Sequence, residues 1–245
     1  MQQKHAAIRA AQAVICVSEA TRQDLLRWVG DVPGQQVHVI HNGVAPVFRP
    51  LDATATRSSG PMESVDSRPF VLYVGERRGY KNFTRLLEAL PMLPDIELRC
   101  VGGGALGAEE MGTLPESCRA RVRHLGFVSD EVLNQQYNQG LCLVYPSDYE
   151  GFGIPVLEAM RAGCPVVSSR CAAVLEVGGS ALTVADSLDP NVLCKAILRT
   201  TEPSYRAEKI ARGIERANSF SWNRTHAQTL DAYRRLGANA STALP

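Results

Sequence analysis

The chain has 245 residues, 45% of them hydrophobic, and a formal net charge of +1. That length and apolar content suit one large or two small domains with a proper core, which excludes a disordered chain. A balance so close to neutral also excludes bulk electrostatic binding to nucleic acid.

The first residues, "MQQKHAAIRAAQAVICVSEAT", carry no apolar signal core with a cleavage site. No run reaches the roughly 20 apolar residues of a membrane span. Seven cysteines are scattered without a CxxC pair, several inside apolar runs such as "VICVS" and "LCLVYPS". That pattern predicts buried, reduced thiols rather than a disulfide frame or zinc site, and so a cytoplasmic protein. A basic excess between Arg199 and Arg235 reads as a solvated helical face, and leaves open peripheral contact with the inner face of a membrane.

"AVICVS" (13–18) predicts a strand. "EATRQDLLRWVG" predicts a helix capped by Ser18 and stopped at Gly30. "VHVIHNGV" (37–44) predicts a second strand, which makes a β-α-β unit. Residues 51–68 are polar, small and irregular, and read as a linker between domains. From Pro69 a longer alternation begins. "PFVLYVG" is an expected strand and "KNFTRLLEALPML" an expected helix, with Phe83, Leu86, Leu87 and Leu90 on one face. Strands follow at "IELRCVGGG", "VRHLGFVS", "LCLVYPS" and "CPVVSS". Helices are expected near "DEVLNQQYNQG", over 154–162, at "DPNVLCKAILRTT" and through most of 203–236. Repeated β-α units with near-continuous apolar strands predict an α/β, doubly wound parallel sheet of the Rossmann type, with ligands at the strands' C-terminal ends.

The stretch "DYEGFGIPVLEAMRAGCPVV" lies at such an end. Pro155 suits a first helical turn and Gly163 a helix stop. Gly151, Phe152, Gly153 and Ile154 therefore present backbone N–H groups at a helix N-terminus, where a phosphate or sugar can approach. Glu150 precedes that turn and Glu158 lies within the helix. Two carboxylates would repel a diphosphate, so they read as acceptors for hydroxyl groups, one on a sugar and one on a ribose. A glycosidase pair is the rival reading, but both carboxylates line one wall rather than flanking a bond. A plain solvated helix position is the other alternative for Glu158. Gly75 ends a strand, and Arg77 and Lys81 follow at the ligand edge, Arg as a bidentate and Lys as a point-charge phosphate partner. Arg78 is the alternative to Arg77.

"EGFGIPVLEAMRAGCPVVSS" resembles the E-x7-E signature of the retaining group 1 glycosyltransferases, glycosyltransferase family 4, which have the GT-B fold. "YVGERRGYKNFTRLLEAL" resembles their donor-diphosphate segment. "VICVSEATRQDLLRWV…VHVIHNGV" resembles the end of their N-terminal domain, and "FSWNRTHAQTLDAYRRL" their closing helix. The resemblance covers about residues 8 to 236. It implies residues 1–50 as the last β-α-β piece of an N-terminal acceptor domain and 51–68 as a linker. It further implies 69–217 as a nucleotide-sugar domain, 218–236 as a helix crossing back, and 237–245 as a tail.

By that resemblance Glu150 contacts the transferred sugar, Glu158 the nucleotide ribose, and Arg77 and Lys81 the diphosphate. Glu150, Arg77 and Lys81 are the implied catalytic residues. Gly75, Gly151, Phe152, Gly153 and Ile154 line the donor, and the backbone near Phe127 and Val128 holds the base or is an ordinary strand end. No cofactor and no metal are implied; the donor is a GDP-sugar or UDP-sugar and the acceptor a glycan or lipid-linked sugar. The "YKN" form at Tyr80, Lys81 and Asn82 favours mannose. Where family members carry Pro-Glu-Val, this chain has Leu175 before Glu176. The acceptor domain's glycine-rich loop and sugar-positioning histidine are not seen, so the expected alternatives are a fragment of a longer enzyme, a half-enzyme whose partner chain supplies them, or a non-catalytic nucleotide-sugar-binding module. A sugar-nucleotide epimerase ranks lower, and the "VGGGALG" spacing does not make an NAD fingerprint.

Overall fold

The structure is a computed structural model that describes residues 2–30, 36–52 and 68–242. The expected linker over 51–68 thus lies almost wholly outside the described residues. A first unit holds α1 (Gln2–Ala10), β1 (Ala13–Cys16), α2 (Glu19–Val29) and β2 (Gln36–Val39), with β1 and β2 parallel. Ser18 caps α2 by accepting from the Thr21 N–H, and Gly30 ends it at φ 80°. Only residues facing β1 form ladder, so β2 stops well short of the expected 37–44.

The second unit is a six-stranded, all-parallel sheet. Its strands are β3 (Phe70–Val74), β4 (Glu97–Val101), β5 (Val122–His124), β6 (Cys142–Tyr145), β7 (Val166–Ser168) and β8 (Thr183–Val184). They lie in the order β5-β4-β3-β6-β7-β8. Around them run α3 (Phe83–Ala89), α4 (Ala108–Gly112), α5 (Glu116–Arg119), α6 (Asp130–Gln139), α7 (Ile154–Arg161), α8 (Ala172–Gly178), α9 (Pro190–Arg199), α10 (Pro203–Ala217) and α11 (Trp222–Thr242).

Alternation along the strands splits the core in two. Phe70, Leu72, Leu143, Tyr145 and Val166 face α6, α7 and α8. Val71, Tyr73, Leu98, Cys142, Val144 and Val167 face α3 and α9. All four apolar residues of the expected α3 stripe are buried on that second face. All seven cysteines are buried and unpaired. The long basic segment breaks at Asn218–Ser221 into α10 and α11, and α11 continues into the expected tail. No described helix is long and apolar enough to cross a membrane.

The strand order reverses direction between β3 and β6. A doubly wound sheet opens a crevice at that switch point, beyond the carboxyl ends of the two strands. The two loops that begin there are residues 75–82 and 146–153, and they carry most of the sequence-predicted site.

Candidate functional site

After β3, Gly75 takes φ 120° and Asn82 takes φ 52°, so the loop turns sharply twice. The loop after β6 is tied to it by two bonds: Asp148 N–H donates to the Tyr80 carbonyl at 2.8 Å, and Asn82 Nδ2 donates to the Pro146 carbonyl at 3.1 Å. Between these ties Lys81 Nζ donates to Glu150 Oε1. The two side chains are 16% and 11% exposed. Lys81 also stands 5.6 Å from the Tyr145 ring centre, and the Glu150 carboxylate lies near the Tyr145 hydroxyl. Burial, with the Glu150 charge beside it, pushes the Tyr145 hydroxyl well above the ordinary tyrosine range, so it stays a proton donor.

The turn 151–153 leads into α7. Gly153 sits at φ 100°, and a Cβ there would meet Val174 Cγ2 at 3.4 Å. Among the described residues, the N–H groups of Gly151, Phe152, Gly153 and Ile154 have no hydrogen-bond acceptor. They stand at the positive end of the α7 dipole and follow directly on Glu150, the partner of the Lys81 ammonium, a setting that favours negative charge. Gly153→Ala should cost about 1–2 kcal/mol of stability, the scale of one L-residue forced into a left-handed conformation. Thermal unfolding of the variant checks this.

Glu158 projects from α7 at a different point. Its Oε2 accepts from the Tyr137 hydroxyl of α6 at 3.0 Å. Desolvation raises the carboxyl to about 7, with the Tyr137 bond pulling the other way. Its carboxyl is therefore poised between its protonated and ionised forms near neutral pH. Tyr137 was not legible as its partner, because the two lie on different helices.

Arg77 is placed differently from Lys81. Its side chain is 4% exposed and bends onto the loop after β4. Nε donates to Glu110 Oε1 at 2.9 Å, Nη1 to the Gly102 carbonyl, and Nη2 to the Gly104 and Ala105 carbonyls. Four of its five donors are thereby taken. Gly102, Gly103 and Gly104 all have φ between 72° and 78°, and a Cβ on Gly103 would sit 2.7 Å from the Gly75 carbonyl oxygen. The "VGGG" run is therefore a curl of carbonyls around a guanidinium. Arg78 points to solvent, 90% exposed, with only a 3.7 Å approach to Glu76. Phe127 is 88% exposed and Val128 packs against the core, both beyond the end of β5. Glu150, Lys81, Gly75 and residues 151–154 therefore gather at the crevice, Glu158 projects from α7, and four of the five Arg77 donors are held by the neighbouring loop. Among the described residues no three His, Cys, Asp or Glu side chains are grouped to hold a metal.

A family profile described as "Glycosyl transferases group 1" matches residues 68–202, and one described as "Glycosyltransferase Family 4" matches residues 2–48. O-antigen chain mannosyltransferase B of Escherichia coli is 32% identical over 241 residues, covering 95% of this chain and 63% of that protein. Serotype-specific mannosyltransferase WbdA of Escherichia coli is 27% identical over 95% of this chain and 30% of its own length. The chain thus spans less than two thirds of these curated relatives. Sucrose-phosphate synthase from Thermosynechococcus elongatus superimposes with a TM-score of 0.83 at 28% identity, over 97% of this chain and 61% of that one. Anabaena HepE in complex with UDP-glucose shares the fold at TM-score 0.79 and 19% identity, over 92% and 64% of the two chains.

Proposed function

Because the chain belongs to the group 1 glycosyltransferases, we propose that its β3–β6 crevice binds a nucleotide diphosphate-sugar and serves sugar transfer with retention of configuration. One observation carries this reading: at the switch point of the sheet, N–H groups at the start of α7 that have no acceptor among the described residues follow directly on the largely buried Lys81–Glu150 pair. The N–H groups and Lys81 take the diphosphate, and Glu150 takes hydroxyls of the sugar. Glu158 takes the ribose, with the base near Phe127 and Val128. Arg77 fixes the glycine loop and adds its remaining N–H as a second cationic contact. The relatives named for mannose transfer favour mannose as the sugar, with GDP-mannose ahead of UDP-sugars.

In the reaction, the bond from the anomeric carbon to the diphosphate oxygen breaks, and a new bond to the acceptor oxygen forms on the same face. The acceptor proton ends on the departing phosphate. Lys81 and the α7 terminus stabilise the charge that develops on the diphosphate, so the reading calls on no metal. The acceptor is a glycan or lipid-linked sugar. We assign donor binding to residues 69–217 and acceptor binding to the protein of which 1–50 resembles a part, whether joined or supplied by a partner chain.

Calorimetric titration with GDP, UDP, GDP-mannose and UDP-glucose tests the donor assignment. Binding of at least one sugar nucleotide is expected; a folded protein that binds none of the four overturns it. The second reading is a nucleotide-sugar-binding module without transfer of its own. Turnover by this chain alone rules it out.

A further inference from the structure

The carbonyl of Gly151 accepts two side-chain hydrogen bonds from the other unit of the chain. Ser18 Oγ donates at 2.7 Å and Thr21 Oγ1 at 3.0 Å, from residues 133 and 130 positions away. The two hydroxyls are also 2.9 Å apart. Each has one proton, so two protons serve three oxygen–oxygen contacts. Whichever way they are arranged, at least one proton lies on the Gly151 carbonyl. Gly151 is close enough that a Cβ on it would touch Thr21 Oγ1 and Val17 at 3.8 Å.

The first turn of α2, which carries both hydroxyls, is held from its other side. Glu176 of α8 accepts from the Glu19 N–H at 2.8 Å, the Ala20 N–H at 3.1 Å and His41 Nε2 at 2.8 Å. Burial alone would raise the Glu176 carboxyl, but these bonds outweigh it and hold it below the ordinary range, so the clamp is ionised. The His41 ring in turn lies 5.9 Å from Phe152 and 5.5 Å from Phe220. The start of α2 is thus fixed between α8 and the turn 150–153.

A peptide unit is planar, and among the described residues no peptide bond is cis. The Gly151 carbonyl and the Phe152 N–H therefore point in opposite directions. Anchoring the carbonyl on α2 aims the Phe152 N–H away from α2. We propose that Ser18 and Thr21 are positioning residues that set the donor turn through the Gly151 carbonyl, and so couple donor affinity to the seating of the first unit. The proposal rests on the donor-site reading only for its effect on affinity; the effect on the turn stands by itself.

The test uses the full chain and two double variants. Ser18→Gly/Thr21→Val removes both hydroxyls while glycine keeps most of the cap on α2. Ser18→Thr/Thr21→Ser keeps both. Two readouts are taken: titration with GDP-mannose and UDP-glucose, and ligand-free hydrogen exchange of the peptide spanning 148–154. The hydroxyl-less variant is expected to bind the preferred sugar nucleotide about tenfold more weakly, about 1.4 kcal/mol, and to exchange the turn amides faster. The conservative variant is expected to match the wild type in both, and Thr21→Val alone to fall between. Unchanged exchange and affinity in the hydroxyl-less variant, or equal losses in the conservative one, overturn the proposal. Faster exchange in a protein whose wild type binds neither sugar nucleotide upholds the positioning of the turn and rejects the donor assignment instead.

Discussion

Lys81→Ala is expected to lower stability by about 3 kcal/mol and nucleoside diphosphate affinity by about 1.5–3 kcal/mol. The two losses have different causes. The Lys81–Glu150 pair is mostly withdrawn from water, at 16% and 11% side-chain exposure. Removing the ammonium leaves a mostly buried carboxylate there without its counter-charge. The penalty is that of an uncompensated charge rather than of one hydrogen bond. The affinity loss is that of a charge-assisted bond to phosphate. Adding Glu150→Gln separates them. The double variant should regain at least half of the lost stability, read from urea midpoints, because a neutral amide needs no counter-charge. It should regain none of the diphosphate affinity, read by calorimetry with GDP and UDP. Equal stability of the single and double variants would show that the pair does not carry the crevice.

Local chemistry made much of this legible. Ser18 and Gly30 mark the ends of α2, and both cap it as their residue types predict. Pro155 and Gly163 bracket α7, and the structure places that helix over Ile154–Arg161. Strand runs long enough to be buried on both faces were equally clear. Elements with too few residues to show a period were not. α4 and α5, of five and four residues, and the two-residue β8 carry no amphipathic signal. Pro91 shortens the expected helix over 81–93, so that α3 ends at Ala89 and a single tighter turn follows.

At the site, the division is between where a residue lies and where its side chain goes. The sheet edge placed Arg77 and Lys81 together, but nothing local distinguishes the cation that meets Glu150 from the one that meets Glu110. That choice depends on carbonyls 25 to 28 positions away, aimed by three left-handed glycines. The contacts of Gly151 with Ser18 and Thr21 span more than 100 residues and leave no trace in spacing. Glu176 was visible only as the glutamate that keeps its place in the family's Pro-Glu-Val, where Leu175 replaces the proline. Its place against the start of α2 explains what a carboxylate does there, whereas Leu175 in place of proline has no evident structural reason.

Glu158→Gln is expected to remove a pH dependence of stability worth roughly 3 kcal/mol, the difference between an ordinary carboxyl near 4.5 and one near 7. In the folded protein burial keeps Glu158 protonated to about pH 7, whereas the unfolded chain releases that proton near 4.5. Between those values the folded state binds the extra proton, so stability falls as pH rises. Below about pH 4 the group makes no difference, and above about pH 8 the whole penalty is present. Glutamine can still accept from Tyr137 and carries no charge, so the variant should be the more stable protein at pH 8 and show no such slope. Such a penalty is sustained where a site needs it. Ribose hydroxyls donate best to the ionised form, so nucleotide binding should expel the proton and strengthen as pH rises through 7. Urea unfolding from pH 4 to 8 reads the first effect. Calorimetry in two buffers of different ionisation enthalpy reads the second, as proton release present in the wild type and absent in Glu158→Gln. Parallel pH profiles for the two proteins, with equal proton release, would mean that Glu158 is already ionised in the free protein and that its wall is wetter than its neighbours make it.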